Sequence, residues 1–127
     1  MIVYFDGDDV SSALELLLLN GDAEGARTYS ESLLQASSAI RAHLSAVTGA
    51  EIILAGGDDL VVRLPGESIP VSVSGLIDRL RRDYRSTCGK TLSVGVGCDT
   101  REAVLNLRRA KLMGGNRVEG ICSPGAA

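Results

Sequence analysis

Apolar and polar positions recur along the chain with periods that lay out most of its elements. Residues 2–5, IVYF, are β-branched or aromatic and stop at Asp6-Gly7, the pattern of a buried strand ending at the carboxyl edge of a sheet. Residues 10–19 favour a helix closed near Asn20-Gly21, where glycine permits the left-handed residue that helix C-termini use. From about residue 23 to Val47 a longer helix carries Leu33, Ser37, Ile40, Leu44 and Val47 at intervals of three and four, a largely apolar stripe closed by Thr48-Gly49, with His43 beside it as a helix-surface residue. EIILA and LVVRL, separated by Gly-Gly-Asp-Asp, read as a β-hairpin whose glycines supply the positive φ of a tight turn.

Val73, Leu76, Ile77, Leu80 and Tyr84 mark a third, amphipathic helix whose opposite face carries Arg79, Arg81, Arg82 and Arg85, a face that reads as solvated. TLSVGVG, residues 91–97, is a fourth strand with glycines where backbone or ligand approaches closely. Residues 101–113 form the last helix, closed by Gly114-Gly115-Asn116, and RVEGIC adds an edge strand before a frayed tail, SPGAA. The order β-α-α-β-β-α-β-α with a central hairpin matches a split βαβ arrangement. The expected fold is therefore α+β and ferredoxin-like, an antiparallel sheet with a central β-hairpin and helices packed mainly on one face. One domain over 1–119 and a short tail over 120–127 are expected, with no repeat and no linker.

Composition changes this picture little. The chain has 127 residues, in the commonest range for one domain, and its 45% hydrophobic and 23% charged residues exclude disorder. A net charge of −3 gives no electrostatic footprint for duplex nucleic acid, so any nucleotide bound is small. Cys88, Cys98 and Cys122 fit neither a disulfide framework nor paired zinc knuckles and point to a reducing compartment. LELLLL is too short to span a bilayer, and MIVYFDGDD has no basic leader. A cytoplasmic protein without membrane partners is expected.

The chemistry gathers in two acidic clusters, each directly after an apolar strand: Asp6, Asp8 and Asp9, then Asp58 and Asp59. A lone Asp-Asp pair reads as a solvated turn. In a split βαβ sheet, however, the first strand lies next to the hairpin, so Asp6 faces Asp58 and Asp59. Three converging carboxylates make a hard-oxygen site of the kind Mg²⁺ or Mn²⁺ prefers, and Gly56 and Gly57 keep the backbone low enough for a phosphate to approach. A calcium loop at DGDD fails, because Val10, Ser11 and Leu17 stand where an oxygen ligand, a glycine and a glutamate belong. A P-loop at CGKT fails, because Tyr84 replaces its first glycine, and no nucleophile elbow accompanies the one histidine. Lys111 follows Val104 and Leu107 at helical spacing, so it either snorkels to water or meets an anion such as the outer phosphates of a triphosphate. The helix start at Val10 adds backbone N–H donors, and Asp8 or Asp9 suits its N-cap better than phosphate contact.

YFDGDD, ILAGGDDLVV, TLSVGVG and RRAKLMGGNRV together resemble the palm domain shared by GGDEF diguanylate cyclases, the large polymerase subunit of type III CRISPR complexes, and the stand-alone minimal CRISPR polymerases. The similarity runs from about Ile2 to Val118, and the length and the DGDD spelling point to the last group. The resemblance implies nucleotidyl transfer through two Mg²⁺ or Mn²⁺ ions, with attack of a ribose hydroxyl on an α-phosphate and release of pyrophosphate. Asp6, Asp58 and Asp59 match the family's catalytic metal ligands, the carbonyl of Gly7 matches a backbone ligand, and Lys111 matches the phosphate-binding lysine. The nucleotide-binding set is then Gly7, Asp8, Asp9, Val10, Gly56, Gly57, Lys111 and Asn116, although LMGGN lacks the usual basic residue before Asn116.

Leu14 stands where the guanine-reading asparagine of diguanylate cyclases is found, and it cannot hydrogen-bond a purine edge, which disfavours a guanine-specific cyclase. The resemblance to the CRISPR polymerases implies ATP as the preferred substrate, with mixed nucleotides as the alternative. Relatives of this kind make cyclic oligonucleotide or cyclic dinucleotide messengers for anti-phage defence. One palm holds one triphosphate and the chain is too short for a second palm, so a homodimer or higher symmetric oligomer is implied. A GTP cyclohydrolase-like hydrolase on the same fold and a non-catalytic nucleotide sensor are the competing readings.

Overall fold

Of the six residues in β1 (Ile2–Gly7), four are buried and Tyr4 and Asp6 are half-buried, so this strand must be flanked on both edges and covered on both faces. It pairs antiparallel with β3 (Asp59–Arg63) on one edge and with β4 (Leu92–Gly97) on the other. Beyond β3 lies β2 (Glu51–Ala55), and beyond β4 lies β5 (Val118–Glu119), giving the order β2-β3-β1-β4-β5. This is the expected split βαβ core with one addition: β5 runs parallel to β4, so the sheet is not wholly antiparallel. The structure is a computed structural model and describes residues 1–66 and 71–120, the side chains of 71–73 excepted. The end of RVEGIC with Cys122, and the expected tail from residue 121 on, lie outside the described residues.

Four helices, α1 (Val10–Leu19), α2 (Ala23–Ser45), α3 (Val71–Cys88) and α4 (Thr100–Leu112), pack on this sheet. Asp22 caps α2 by accepting from the Gly25 N–H at 2.8 Å, and Asp99 caps α4 by accepting from the Glu102 N–H at 2.8 Å, contacts of about 1 kcal/mol each. Side chains on strands alternate, and this alternation divides the core. Val3, Phe5, Leu60, Val62, Leu92, Val94 and Val96 turn to the face where α2 lays Leu33, Ala36, Ile40 and Leu44 and α3 lays Ile77, Leu80 and Tyr84. Ile2, Tyr4 and Val61 turn the other way and meet Ala103 of α4.

The helices α1 to α3 thus share one face, as expected, while α4 alone takes the opposite one. The glycines of TLSVGVG explain how closely it sits: a side chain at Gly95 would run into the backbone of Ala103 and Leu107, and one at Gly97 into that of Ala103. We expect Gly95→Ala to cost at least about 1–3 kcal/mol, because backbone cannot step aside as a flexible side chain can. A denaturant midpoint unchanged by that substitution would contradict the packing described.

No helix among the described residues is long and apolar enough to cross a membrane. Cys88 is free, but Cys98 is disulfide-bonded. This corrects the expectation of unpaired thiols, and with it the support the cysteines lent to a reducing compartment.

Candidate active site

Asp6 and Asp59 are direct cross-strand partners on β1 and β3, and both follow Ile2, Tyr4 and Val61 onto the α4 face. The Gly7 N–H donates to the Asp58 carbonyl at 3.0 Å and ties the hairpin turn to the end of β1. Sequence position therefore fixes the convergence: each of Asp6, Asp58 and Asp59 is half-buried and offers an oxygen, and these oxygens lie within 4.8 Å of one another. The turn itself differs from expectation. Neither Gly56 nor Gly57 has positive φ. A Cβ at residue 56 would instead collide with the Asp59 carboxylate, while Gly57 borders open space. Glycine there leaves room for the Asp59 carboxylate in its present position, and Ser37 Oγ, donating to the Gly57 carbonyl at 2.8 Å, pins the turn to α2.

The cluster is electrostatically costly as it stands. Burial pushes the Asp6 carboxyl up, Lys111 pulls it down, Asp58 and Asp59 push it up again, and the outcome lies above the ordinary carboxylate range. Burial and the same carboxylates, Asp59 first, raise the Tyr4 phenol, which stays neutral and reaches Asp59 Oδ2 at 3.4 Å. Three hard oxygen donors and a shortage of positive charge are what a divalent cation of the Mg²⁺ or Mn²⁺ type resolves, so the residues present fit such an ion.

Lys111 neither snorkels to solvent nor lies free. It sits one turn beyond buried Leu107, on a stripe of Ala103, Leu107 and Ala110 rather than on Val104, which is exposed. Its Nζ donates to the carbonyls of Gly7 (2.8 Å) and Asp6 (3.3 Å) and to Asp8 Oδ1 (2.8 Å), and it pairs with Asp6 Oδ2 at 3.1 Å. Asp8, buried, is the anchor of this arrangement. Its Oδ1 also accepts from Ser93 Oγ at 2.8 Å, and its Oδ2 accepts from Thr91 Oγ1 at 2.6 Å and the Asn116 N–H at 2.8 Å. Burial alone would raise this carboxyl, but the bonds from Lys111, Thr91, Asn116 and Ser93 outweigh it and hold the group below its usual range. Burial would lower the Lys111 ammonium, and its bonds to Asp8 and Asp6 outweigh that to raise it.

These contacts revise several expected roles. Asp8 is spent on four protein donors rather than on nucleotide or on capping α1. Asp9 is the N-cap residue of α1 in a left-handed conformation (φ 54°), yet no side chain caps that helix, so the N–H groups of the first turn from Val10 remain open. Asn116, also left-handed (φ 53°), donates its N–H to Asp8, and its side-chain Oδ1 accepts from Arg81 Nη2 at 3.1 Å. Thr91, Ser93, Tyr4 and Ser37 were missed as site residues. Ser93 carried a readable signal, since a hydroxyl inside an apolar strand must find a partner.

On the α2 side of the hairpin, a cleft of about 180 Å³ is lined by Phe5, Leu34, Ser38, Arg41, Asp58 and Tyr84 among others. It is smaller than pockets that enclose a whole drug-sized ligand, so it suits one end of a nucleotide. The Tyr84 hydroxyl, packed toward Gly7, is buried with no hydrogen-bond partner among the described residues.

No curated protein sequence matches the chain. Among solved structures, the GGDEF domain of TpbB (YfiN) from Pseudomonas aeruginosa is similar over 93% of this chain and 74% of its own, with a TM-score of 0.55 at 14% identity, a likeness of fold. The family model for the minimal CRISPR polymerase domain matches residues 2–121, nearly every residue described above, and the chain belongs to that family.

Proposed function

We propose that this protein is a metal-dependent nucleotidyltransferase that condenses nucleoside triphosphates, ATP first, into a cyclic dinucleotide or oligonucleotide messenger serving anti-phage defence. The observation that carries the reading is the convergence of Asp6, Asp58 and Asp59 beside Lys111. Asp6, Asp58 and Asp59, with the Gly7 carbonyl, would hold two Mg²⁺ or Mn²⁺ ions. Those ions, when bound, activate a ribose hydroxyl and neutralise charge on the reacting phosphates. The chain's own groups supply the rest. Lys111 turns its ammonium from the Gly7 carbonyl to the outer phosphates, the open N–H groups at the start of α1 receive the same oxygens, and the cleft beside α2 takes the base. The new bond joins the hydroxyl oxygen to the α-phosphorus, the α–β anhydride bond breaks, pyrophosphate leaves with the electron pair, and the hydroxyl proton passes to water.

Two nucleotides must meet, and the described residues hold one acidic triad of this kind. The α1 helix, which follows directly on the acidic turn, exposes Leu16, Leu18 and Leu19, the last at 78%. A second copy of this chain is the proposed cover, bringing two sites together. Leu18→Glu combined with Leu19→Glu is then expected to convert dimers to monomers in light scattering and to abolish turnover. A wild-type chain that is monomeric at every concentration assayed would contradict this arrangement.

The function is tested by incubating the protein with ATP, then with mixed triphosphates, with Mg²⁺ or Mn²⁺, and identifying products by mass spectrometry. Asp58→Ala/Asp59→Ala is the control. Phosphodiester-linked product with pyrophosphate, absent from the control, is expected. Formate release, simple hydrolysis, or unchanged nucleotide that is nonetheless bound would overturn the proposal.

A further inference from the structure

Beside the acidic site, on the far side of Asn116, α3 presents Asp78, Arg81, Arg82 and Arg85 along one face, since residues three, four and seven apart fall together on a helix. With Asn116 they line an open depression of about 250 Å³. Its floor is built from ordered groups. Arg81 donates from Nε to the Leu92 carbonyl at 3.3 Å and from Nη2 to Asn116 Oδ1 at 3.1 Å, and its Nη1 lies 3.6 Å from Asp78. Asn116 is itself fixed through its N–H to Asp8, the residue that anchors Lys111. The wall of the depression and Lys111 therefore share one hydrogen-bonded frame. The side chains of Arg82 and Arg85 have no hydrogen-bond or ion-pair partner among the described residues, and a single carboxylate, Asp78, lines the depression against three guanidinium groups. In a chain whose net charge is −3, this is a local excess of positive charge set against the general trend.

Guanidinium groups present planar pairs of N–H donors that match phosphate oxygens, and several of them around one hollow bind phosphate more specifically than scattered lysines do. We infer that this depression is a second phosphate-binding site, which holds the phosphates of a nucleotide other than the one whose α-phosphate reacts at the carboxylates. The inference rests on the nucleotidyltransferase reading for its ligand class, though not for the site itself. Two nucleotide sources share the chemistry: the polyphosphate tail of a second triphosphate, and the phosphodiester of a linear intermediate or product.

The test uses the full chain in EDTA, where the carboxylate cluster has no divalent ion to recruit phosphate. Binding of inorganic tripolyphosphate, ATP and a linear diadenylate is measured by calorimetry for the wild type, Arg82→Ala/Arg85→Ala and Arg82→Lys/Arg85→Lys. Both arginines are exposed, and a thermal melt confirms that each variant folds. Expected is a tenfold or greater loss of affinity in the alanine variant, a partial return with lysine, and steep weakening with salt. Loss confined to tripolyphosphate and ATP identifies the triphosphate tail as the ligand, and loss confined to diadenylate identifies the phosphodiester. Equal affinity of wild type and alanine variant for all three probes overturns the inference. That failure is separable from failure of the proposed function, which is read by product formation with Mg²⁺ in the wild type alone.

Discussion

Replacing Asp8 by alanine is expected to destabilise the fold by about 3–5 kcal/mol and to reduce nucleotidyl transfer at least a hundredfold, the largest structural penalty of any single change in the site. The physical reason is the number of groups that depend on one buried carboxylate. Ser93 Oγ, Thr91 Oγ1, the Asn116 N–H and the Lys111 ammonium all donate to it. Each buried donor left unpaired costs about 1–3 kcal/mol. Asp8→Asn preserves the volume but turns an NH₂ group toward donors, so it also fails to satisfy all four. The pH dependence gives a second reading of the same contact. The native carboxyl titrates below its unfolded value of about 3.9, so its stabilisation is fully present above that pH and is lost as pH falls through the native value. Urea unfolding followed from neutral to acid pH should show this loss in the wild type and lack this component in Asp8→Asn. Coincident profiles for the two would show that Asp8 is not the anchor.

Asp6→Asn is expected to have the opposite effect on stability while also abolishing most activity. It should reduce transfer about a thousandfold or more, because a bound divalent ion contributes several kcal/mol to the reaction and every 1.36 kcal/mol is a factor of ten. Yet it should leave the metal-free protein as stable as the wild type or slightly more so. Burial, with Asp58 and Asp59 nearby, raises the Asp6 carboxyl despite Lys111, so the native state disfavours the ionised form. The sign follows directly: stability falls as pH rises from the unfolded value through the raised native one, and a neutral asparagine removes that loss. Lys111 keeps Asp8 as its partner in the variant. Melting in EDTA at neutral pH and melting with Mn²⁺ separate the effects. Mn²⁺ should raise the wild-type melting temperature and leave that of Asp6→Asn unchanged. A marked loss of stability for Asp6→Asn in EDTA would mean that Asp6 serves the fold instead of a cation.

The contrast between these neighbours marks what the sequence disclosed. An apolar strand ending in Asp6 and a hairpin ending in Asp58-Asp59 are local patterns, and the split βαβ order places their ends together, so the triad was legible before any coordinates. Lys111 was legible only as a lysine beside an apolar face that either snorkels or meets an anion, and the fold decides for the carboxylates of Asp6 and Asp8. The face that α4 covers was not legible, because the period-two pattern of β4 is interrupted by Gly95 and Gly97, whose purpose is tertiary: they admit the backbone of Ala103 and Leu107. Asp8 and Asp9 are indistinguishable as letters. Only the pairing of β1 with β4, which sets Asp6 opposite Ser93 and Gly7 opposite Leu92, brings the hydroxyls of Thr91 and Ser93 under Asp8 and leaves Asp9 exposed. The role of Gly56 was misread for a related reason, since positive φ is a property of the chain whereas room for the Asp59 carboxylate is a property of the folded turn. The arginines of α3 read as solvated, and Arg79, Arg82 and Arg85 are indeed exposed; what nothing local shows is that Asn116, more than thirty residues later, bonds Arg81 and borders an open depression beside Arg82 and Arg85.

That Asp6, Asp58 and Asp59 together hold divalent cations is tested most directly by an anomalous difference map from crystals grown with Mn²⁺. Strong density among those three carboxylates, lost in Asp58→Ala/Asp59→Ala, is the predicted result. Mn²⁺ seated elsewhere, or a map with no density at the triad under conditions where the protein forms product, would contradict it.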